Sequence, residues 1–467
     1  MNMLKTLENE KLNILWLKFH TAAVVCIFVY FALYQFAPNY FGLVYSIPYR
    51  FCALALILGL LLFRRFKDGV ELKLLFFYCL WVTIMRVVDG SVTLEGVPDG
   101  IFNRWVALPL CAFALLAPAE KRLKLLDVMA VIYAAAYTIL GVICIYAAPE
   151  QLVIINPISG ITLCEFIGGR LYVFWKNCNA VSPWFMMGCW LLVYLFFRSR
   201  KTLWKALIAP AFIVNYTALA LTYGRSSQLG FALGFGMLAA AIALRKLPVK
   251  KLIYKVALFL LCMCICIPVY KGFGIAAGVV ESFAPEIPVI TETATAAQKE
   301  EIKEQQLQTA VAESLKNRGF SSAGRIELWI SSICALAEEP SRLITGKFES
   351  IIDTNEYMKV HDPGEFKIYG IRLHHHNSYV EMFLYSGVPG FALILGFFLL
   401  LVIKMVKLYF CQRTDMAQIT VIVMLTGLMI YNLFESSLMH IYDIRTVAFF
   451  VFAGYVLAFE KELGKNM

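Results

Sequence analysis

Residues 372–381 read Arg-Leu-His-His-His-Asn-Ser-Tyr-Val-Glu, and the stretch Gly-Val-Pro-Gly follows at 387–390. This segment separates a long polar region from a new apolar run, so it marks a junction between a water-facing loop and a membrane helix. The chain has only 6 histidines, and half of them form one tripeptide at this junction. An imidazole accepts or donates a proton near neutral pH, so the junction is a candidate catalytic position.

The composition of the whole chain is that of a membrane protein. Of its 467 residues, 60% are hydrophobic, which is more than soluble domains contain. The net charge of +10 does not indicate nucleic-acid binding, because the basic residues form short clusters between apolar runs. The first apolar run, near residues 17–36, is too long for the apolar region of a signal peptide, so we expect no cleaved leader.

The apolar runs predict the number of membrane crossings, because a spanning helix needs about 20 mostly apolar residues. Such runs have centres near residues 26, 54, 80, 110, 136, 189, 212, 235, 260, 396, 425 and 451. The loops alternate in charge: clusters such as 64–67 and 198–201 are basic, whereas residues 37–46 contain no Lys or Arg. By the positive-inside rule, both termini are cytoplasmic and the long polar loop is extracytoplasmic.

The predicted fold is therefore an all-α polytopic protein of the cytoplasmic membrane with about 12 transmembrane helices. Helices 1–9 occupy residues 1–269, a large extracytoplasmic loop with amphipathic helices occupies 270–377, and helices 10–12 occupy 378–467. Within the loop, residues 291–316 are typical of a surface helix or a mobile segment. Residues 326–337 are amphipathic and are expected at the membrane surface or against the bundle.

The 13 cysteines do not indicate a metal site. Cys262, Cys264 and Cys266 are spaced by two, which distributes them around a helix, so we interpret them as small apolar fillers. Cys164 and Cys178 share a predicted external loop. A disulfide between them is an open alternative that spacing alone does not establish.

Two arginines on the outer side are candidate anion-binding residues. Arg225 lies between the seventh and eighth spans and can hold a phosphate oxygen bidentately. The alternative is an interfacial arginine that bonds backbone carbonyls. Arg325 opens the amphipathic loop helix, whose N-terminus supplies N–H groups and partial positive charge for the same anion. A solvated arginine, or a local pair with Glu327, is the alternative there.

His376 is the candidate for proton transfer, and nothing in the sequence excludes His375. Metal binding by the tripeptide is disfavoured, because consecutive side chains point in different directions on a helix or a strand; a chance polar cluster stays open. Glu381 would orient the imidazole if the segment were helical. Arg170 and Asn179, before the sixth span, either contact substrate or cap helices and satisfy loop carbonyls.

These motifs, taken in order, resemble the O-antigen ligase and polymerase superfamily of bacterial surface glycans. An Arg-Ser pair begins a mid-chain span at 225, and a large loop follows with Gly-Arg-x-x-x-Trp at 324–329, then Pro340 and Gly346. His-Asn at 376–377 and Gly-x-x-Gly at 387–390 close the loop, and the segment 169–179 is also similar to the family's pattern. The resemblance covers roughly residues 165–440, whereas the first third matches only as a set of spans. The two histidines before His376 depart from the pattern and leave open which ring faces the site.

The resemblance implies a fold like that of the type C membrane glycosyltransferases. It implies transfer of a glycan from an undecaprenyl-diphosphate carrier to a lipid-linked or glycan acceptor hydroxyl, outside the cytoplasmic membrane and without metal or cofactor. Carried over by position, the catalytic set would be Arg225, Arg325 and His376. The substrate contacts would be Arg170, Asn179, His375 and Asn377.

The residues suit this chemistry. The arginines would stabilise the diphosphate leaving group, His376 would deprotonate the acceptor hydroxyl, and direct displacement would invert the anomeric carbon.

Ligase and polymerase are not distinguished by the sequence. A transporter or lipid flippase is the main alternative, although transporters usually place ionisable groups near the bilayer midplane. A glycan polymerase of another family, which would rely on an external carboxylate, is a second alternative.

Overall fold

The computed structural model describes residues 2–34, 54–61, 69–88, 99–150, 152–155, 162–167, 170–173, 178–247, 251–283, 325–347, 350–363, 374–438 and 444–465. Most of these residues are helical. The helices are α1 (Asn2–Tyr34), α2 (54–61), α3 (Val70–Val88), α4 (Asp99–Leu116), α5 (Ala119–Ala147), α6 (Cys178–Arg198), α7 (Thr202–Leu221), α8 (Arg225–Lys246), α9 (Leu252–Met263), α10 (Cys266–Glu281), α11 (Arg325–Ala337), α12 (Arg342–Thr345), α13 (Ser350–His361), α14 (Ser378–Phe410), α15 (Met416–Asn432) and α16 (Ile444–Lys465).

The helices agree with the apolar runs, since each predicted span centre lies within a helix. Within the described ranges, 7 helical segments are long and apolar enough to cross a membrane. They lie in α1, α5, α6, α7, α8, the α9–α10 pair and α14. The protein is therefore a multi-pass membrane protein, and the figure of twelve crossings stays a prediction. The long loop was predicted to start at Tyr270, which falls inside α10. Three other predicted segments lie outside the described residues: 37–46, 64–67 and 291–316.

The centre of the bundle is formed by α6, α8, α15 and α16, whose side chains are largely buried. Close contact between α8 and α15 depends on two glycines: a Cβ on Gly230 would lie 2.8 Å from the carbonyl oxygen of Gly427. Helices in lipid associate through tight packing at small residues, because lipid provides no hydrophobic force between them. Lys404 lies 3.1 and 2.8 Å from Glu71 and Glu460, and these ion pairs join α14 to α3 and α16 at one end of the bundle.

A small antiparallel sheet precedes α6, and the all-α prediction omitted it. Its strands are β1 (Ile154–Ile155), β2 (Thr162–Ile167) and β3 (Arg170–Val173), in the order β1-β2-β3. In β3 the residues Leu171 and Val173 are buried and their neighbours are half-exposed, which is the period-2 alternation of a strand. Cys164 and Cys178 are unbonded thiols, so the alternative of a disulfide is wrong, and Cys164 faces Cys144 of α5.

Helix α14 is broken near its start, and the break joins three parts of the molecule. Gly387 has φ +63°, and Pro389 has no N–H to bond the carbonyl of Tyr385. That carbonyl instead accepts a hydrogen bond from Arg86 of α3. The carbonyl of Ser386 accepts a hydrogen bond from the indole N–H of Trp81 at 2.8 Å. The carbonyl of Leu384 accepts a hydrogen bond from the backbone N–H of Lys347 at 2.7 Å. The kink therefore fixes α3 and the α12 segment to α14.

Candidate active site at one end of the bundle

Helix N-termini meet at the end of the bundle opposite to Lys404. Ser182 of α6 and Ser227 of α8 are hydrogen-bonded at 2.7 Å. The starts of α6 and α16 both bond Tyr431 at the end of α15, and the starts of α11 and α14 both bond Glu435 in the turn 433–438 that follows α15. Each N-terminus presents unsatisfied N–H groups and a partial positive charge. This end of the bundle therefore favours an anion before any arginine side chain is considered.

Glu435 connects two of the residues that the sequence selected. Its Oε1 accepts a hydrogen bond from Arg325 Nη2 at 2.9 Å, and its Oε2 lies 3.2 Å from His376 Nδ1. The carboxylate is nearly buried, whereas the side chains of Arg325 and His376 are 22% and 28% exposed, so both remain accessible. Glu435 thus brings Arg325 and His376 together, although it lies 59 residues after His376 in the sequence.

The backbone of His376 is held in an unusual conformation. Its φ is +53°, in the left-handed region that side chains with a Cβ rarely adopt. In the described part of the chain, Tyr223 is the other non-glycine residue with positive φ, at +49°, and it precedes Arg225 by two positions. Backbone strain of this kind collects at functional sites. Both strained residues lie just before a helix that begins at this end of the bundle.

The expected orienting role of Glu381 for His376 is wrong. Helix α14 begins only at Ser378, so His376 lies outside it and the helical spacing does not apply. Glu381 instead faces His375, with 3.6 Å between its Oε1 and His375 Nδ1. Both side chains are almost fully buried inside the bundle. Of these two rings His376, and not His375, is accessible; His374 is exposed as well. Likewise, the acid that pairs with Arg325 is Glu435 and not Glu327.

Asn377 acts as the N-cap of α14. Its Oδ1 accepts hydrogen bonds from the N–H groups of Tyr379 and Val380 at 2.9 and 3.1 Å. Its own N–H donates to Ser436 Oγ at 3.2 Å. These bonds give Asn377 a structural role: it ends the loop directly after His376 and attaches that loop to the turn that carries Glu435.

Ser378 also bonds the turn 433–438, which carries Glu435. It is completely buried, and its Oγ accepts hydrogen bonds from the N–H groups of Ser437 and Leu438 at 2.9 and 3.2 Å. Its hydroxyl faces Asn432 Oδ1 at 2.7 Å. A single hydroxyl therefore satisfies two backbone N–H groups within three residues of Glu435.

We expect Ser378→Ala to lower the free energy of unfolding by about 2–4 kcal/mol, because two buried N–H groups lose their acceptor. The turn that holds Glu435 should loosen, so activity should fall as well. Thermal unfolding of the purified variant measures the first effect. Ser386→Ala is the matched control, since this buried serine of the same helix only donates to the carbonyl of Met382. Equal losses in the two variants would contradict the assigned role of Ser378.

Arg170 and Asn179 form the neighbouring part of the site. Arg170 Nη2 donates to Asn179 Oδ1 at 3.3 Å and to the carbonyl of Tyr223 at 3.1 Å. Arg170 therefore satisfies a loop carbonyl two residues before Arg225, which is the structural alternative that the sequence left open. The carbonyl of Asn179 accepts a hydrogen bond at 3.1 Å from the hydroxyl of Tyr431, four residues before Glu435, so this group adjoins the one around His376.

Arg225 is the first residue of α8 and is half-buried, within electrostatic range of Tyr270 in α10. The turn before it is braced by Tyr223, whose hydroxyl donates to Glu281 Oε1 at 2.8 Å. Burial, and then the Glu281 carboxylate, raise the pKa of this phenol, so it stays protonated and keeps donating. The start of α8 is thereby tied to the end of α10.

Sequence reasoning missed two charged residues at this end, Glu435 and Arg445. Arg445, at the start of α16, donates to the hydroxyl of Tyr431, and that hydroxyl donates to the carbonyl of Asn179 at 3.1 Å. One weak signal was visible, since both residues flank the polar segment between the last two apolar runs. Nothing in that segment indicated that it folds against a loop some sixty residues earlier.

A comparison with sequence families shows which known proteins part of the chain resembles. Residues 210–395 match the family described as O-antigen ligase, and this range contains Arg225, Arg325 and His376 but ends before Glu435. No curated protein matches the chain. Family members are membrane glycosyltransferases or ligases, in accord with a multi-pass helical bundle. Residues 210–395 are thus similar to O-antigen ligases, and this match supports the resemblance of the chain to the O-antigen ligase and polymerase superfamily.

Proposed function

We propose that the protein transfers a glycan from an undecaprenyl-diphosphate carrier to an acceptor hydroxyl, by direct displacement, on the extracytoplasmic side of the cytoplasmic membrane. The observation that carries the proposal is the arrangement of His376, Glu435 and Arg325. It combines a base, a carboxylate that orients the base, and a cation within one hydrogen-bonded group. The family match supports glycan transfer at the level of the reaction class.

In this proposal His376 removes the proton of the acceptor hydroxyl. Nδ1–H donates to Glu435 Oε2, which leaves the lone pair of Nε2 for the acceptor. The carboxylate also stabilises the imidazolium that forms as the hydroxyl attacks the anomeric carbon. Glu435 is therefore a positioning residue, whereas His376 contacts the reacting oxygen.

The arginines and the helix N-termini stabilise the leaving diphosphate. Arg325 uses Nη2 on Glu435, and a guanidinium has five N–H donors, so the others remain for phosphate oxygens. Arg225 lies at the first turn of α8, where the helix dipole adds partial positive charge. Preorganised positive charge of this kind stabilises the negative charge that develops when the glycosidic bond to the diphosphate breaks.

An apolar groove beside the site suits the prenyl chain of the donor. It has a volume of about 570 Å³ and is lined by α14 and α15, with Phe259 of α9. Tyr379 and Leu433 lie at its outer end, next to the residues that hold Glu435, and Phe410 lies at the far end. The hydroxyls of Tyr379, Tyr409 and Thr426 donate to the carbonyls of Met429, Met237 and Ile422, so the polar side chains among the described lining residues are all satisfied. A neutral hydrocarbon chain fits such a surface.

The test is reconstitution in liposomes with an undecaprenyl-diphosphate-linked repeat from the host, with products measured by mass spectrometry. A ladder of lengthened lipid-linked glycans would identify a polymerase, and transfer only to a separate acceptor would identify a ligase. A donor with a shortened prenyl chain should have a raised KM if the groove holds that chain. Absence of any new glycosidic bond with a competent donor and acceptor would overturn the proposal and favour a transporter.

We expect Glu435→Gln to lower turnover by on the order of 10²-fold, because the amide can hold the wrong tautomer of the base. In a His376→Ala background the same change should cost clearly less than in the parent, since the part of its effect that passes through His376 is already lost and only the part through Arg325 remains. Rates of the two single variants and the double variant measure this coupling. Glu327→Gln removes the same charge two residues from Arg325 and should leave turnover near the parent value. Fully multiplicative losses would instead make Glu435 an independent catalytic group.

A further inference from the structure

A second apolar groove lies at the opposite end of the bundle from the candidate active site. It is formed by α5, α6 and α7 and has a volume of about 510 Å³. Its floor is a small buried cluster of Ala134, Leu192 and Ile208. The groove is open at the side, where Ile139 and Leu207 are exposed by more than half of their surface.

The groove has the length of one lipid chain. Along α5 its lining runs from Asp127 to Ile139, which at 1.5 Å per residue is about 18 Å. Half of a hydrocarbon core is about 15 Å thick, so the groove extends through one leaflet. At its deep end the hydroxyl of Thr138 donates to the carbonyl of Ala134 and accepts from Asn215 at 2.8 Å. The hydroxyl of this lining residue is therefore satisfied, and the other residues that line the deep part of the groove are apolar, which suits a hydrocarbon chain.

The mouth of the groove is positively charged. The acid that faces it, Asp127, is neutralised by Arg198, which donates to both carboxylate oxygens at 3.0 and 2.9 Å. Lys124 is one helical turn before Asp127 on the same face of α5, and Lys201 is one turn before the lining residue Trp204. Arg200 adjoins Lys201. These three cations are exposed and make no ion pair with an acid in the part of the chain that the structure describes.

We propose that this groove is a binding site for an anionic glycerophospholipid, with one acyl chain between α5, α6 and α7 and the phosphate headgroup at Lys124, Arg200 and Lys201. Basic pockets between transmembrane helices are suited to anionic headgroups. Trp204 lies at the mouth and is 54% exposed, at the depth where an indole is favoured at the membrane–water interface. This site is distinct from the candidate active site and does not depend on the proposed reaction.

The test compares two lipids that share their acyl chains, dioleoylphosphatidylglycerol and dioleoylphosphatidylcholine, bound to the purified full-length protein and counted by native mass spectrometry. The parent protein should retain the anionic lipid more tightly. The triple variant Lys124→Ala, Arg200→Ala, Lys201→Ala should weaken that lipid by on the order of 100-fold, because each cation near an anionic headgroup contributes about fivefold. Phosphatidylcholine binding should change little.

A charge-matched control is the triple variant Lys246→Ala, Lys251→Ala, Lys255→Ala, which alters basic residues at the ends of α8 and α9. It should keep the preference for the anionic lipid.

Ala135→Trp fills the groove and should weaken the binding of both lipids. Ile213→Trp, at an exposed position of α7 outside the groove, should weaken the binding of neither. Melting temperatures of the two tryptophan variants show whether both are folded. Equal binding of the two lipids to the parent, or equal losses in the two triple variants, would overturn the proposal.

Discussion

His376→Ala should lower the rate of glycan transfer by about 10²–10⁴-fold, the usual contribution of a general base. The variant should fold normally, because the ring is partly exposed and contacts the bundle mainly through Glu435. The loss should fall on kcat more than on KM, since the imidazole acts on the proton of the acceptor rather than on the donor diphosphate. Initial rates with purified protein in liposomes measure both constants.

His375→Ala provides the contrast that separates the two neighbouring histidines. His375 is completely buried and faces Glu381 at 3.6 Å, so its loss leaves a cavity beside a buried acid. We expect His375→Ala to have lower thermal stability than the parent. Its activity per folded molecule should be much closer to that of the parent than the activity of His376→Ala is. If His375→Ala removed turnover from folded protein while His376→Ala retained it, the assignment of the base would move to His375.

Gly387→Ala should lower the free energy of unfolding by about 3 kcal/mol or more, through strain and overlap together. The φ of Gly387 is +63°, where a Cβ is unfavourable. That Cβ would also lie 2.2 Å from the carbonyl oxygen of Ile344, in the α12 segment that packs into the kink. The backbone of Ile344 cannot withdraw as a flexible side chain would. Thermal unfolding of the purified variant measures the effect.

The matched control lies in the same helix. A Cβ on Gly396 would approach Leu74 Cδ1 at 3.3 Å, and Gly396 carries no left-handed backbone. We expect Gly396→Ala to be nearly neutral, since the end of a leucine side chain can shift. A Gly387→Ala variant as stable as Gly396→Ala would mean that the kink does not hold the α12 segment in place.

Local sequence determined where the helices lie and which residues deserved attention. An apolar run long enough for a bilayer must form a helix, because lipid offers no partner for an open backbone. For that reason the predicted span centres at 26, 189 and 396, among others, all lie in helices. Arg225 and His376 were found as rare polar residues beside such runs, and Arg325 as the residue that opens the amphipathic helix of the long loop. The sheet before α6 was missed because its strands are short and their period-2 signal is weak beside twelve apolar runs.

The tertiary structure alone decided what these residues contact. Glu435 pairs with His376 across 59 residues and with Arg325 across 110, whereas the sequence suggested Glu381 and Glu327 as nearer partners. Helical spacing could not give the right answer, because His376 lies outside α14 and has a left-handed backbone. Only the folded bundle decides that His375 is buried whereas His374 and His376 are accessible. Composition and periodicity predict which segments are apolar helices. How those helices pack decides which side chains meet at the candidate active site.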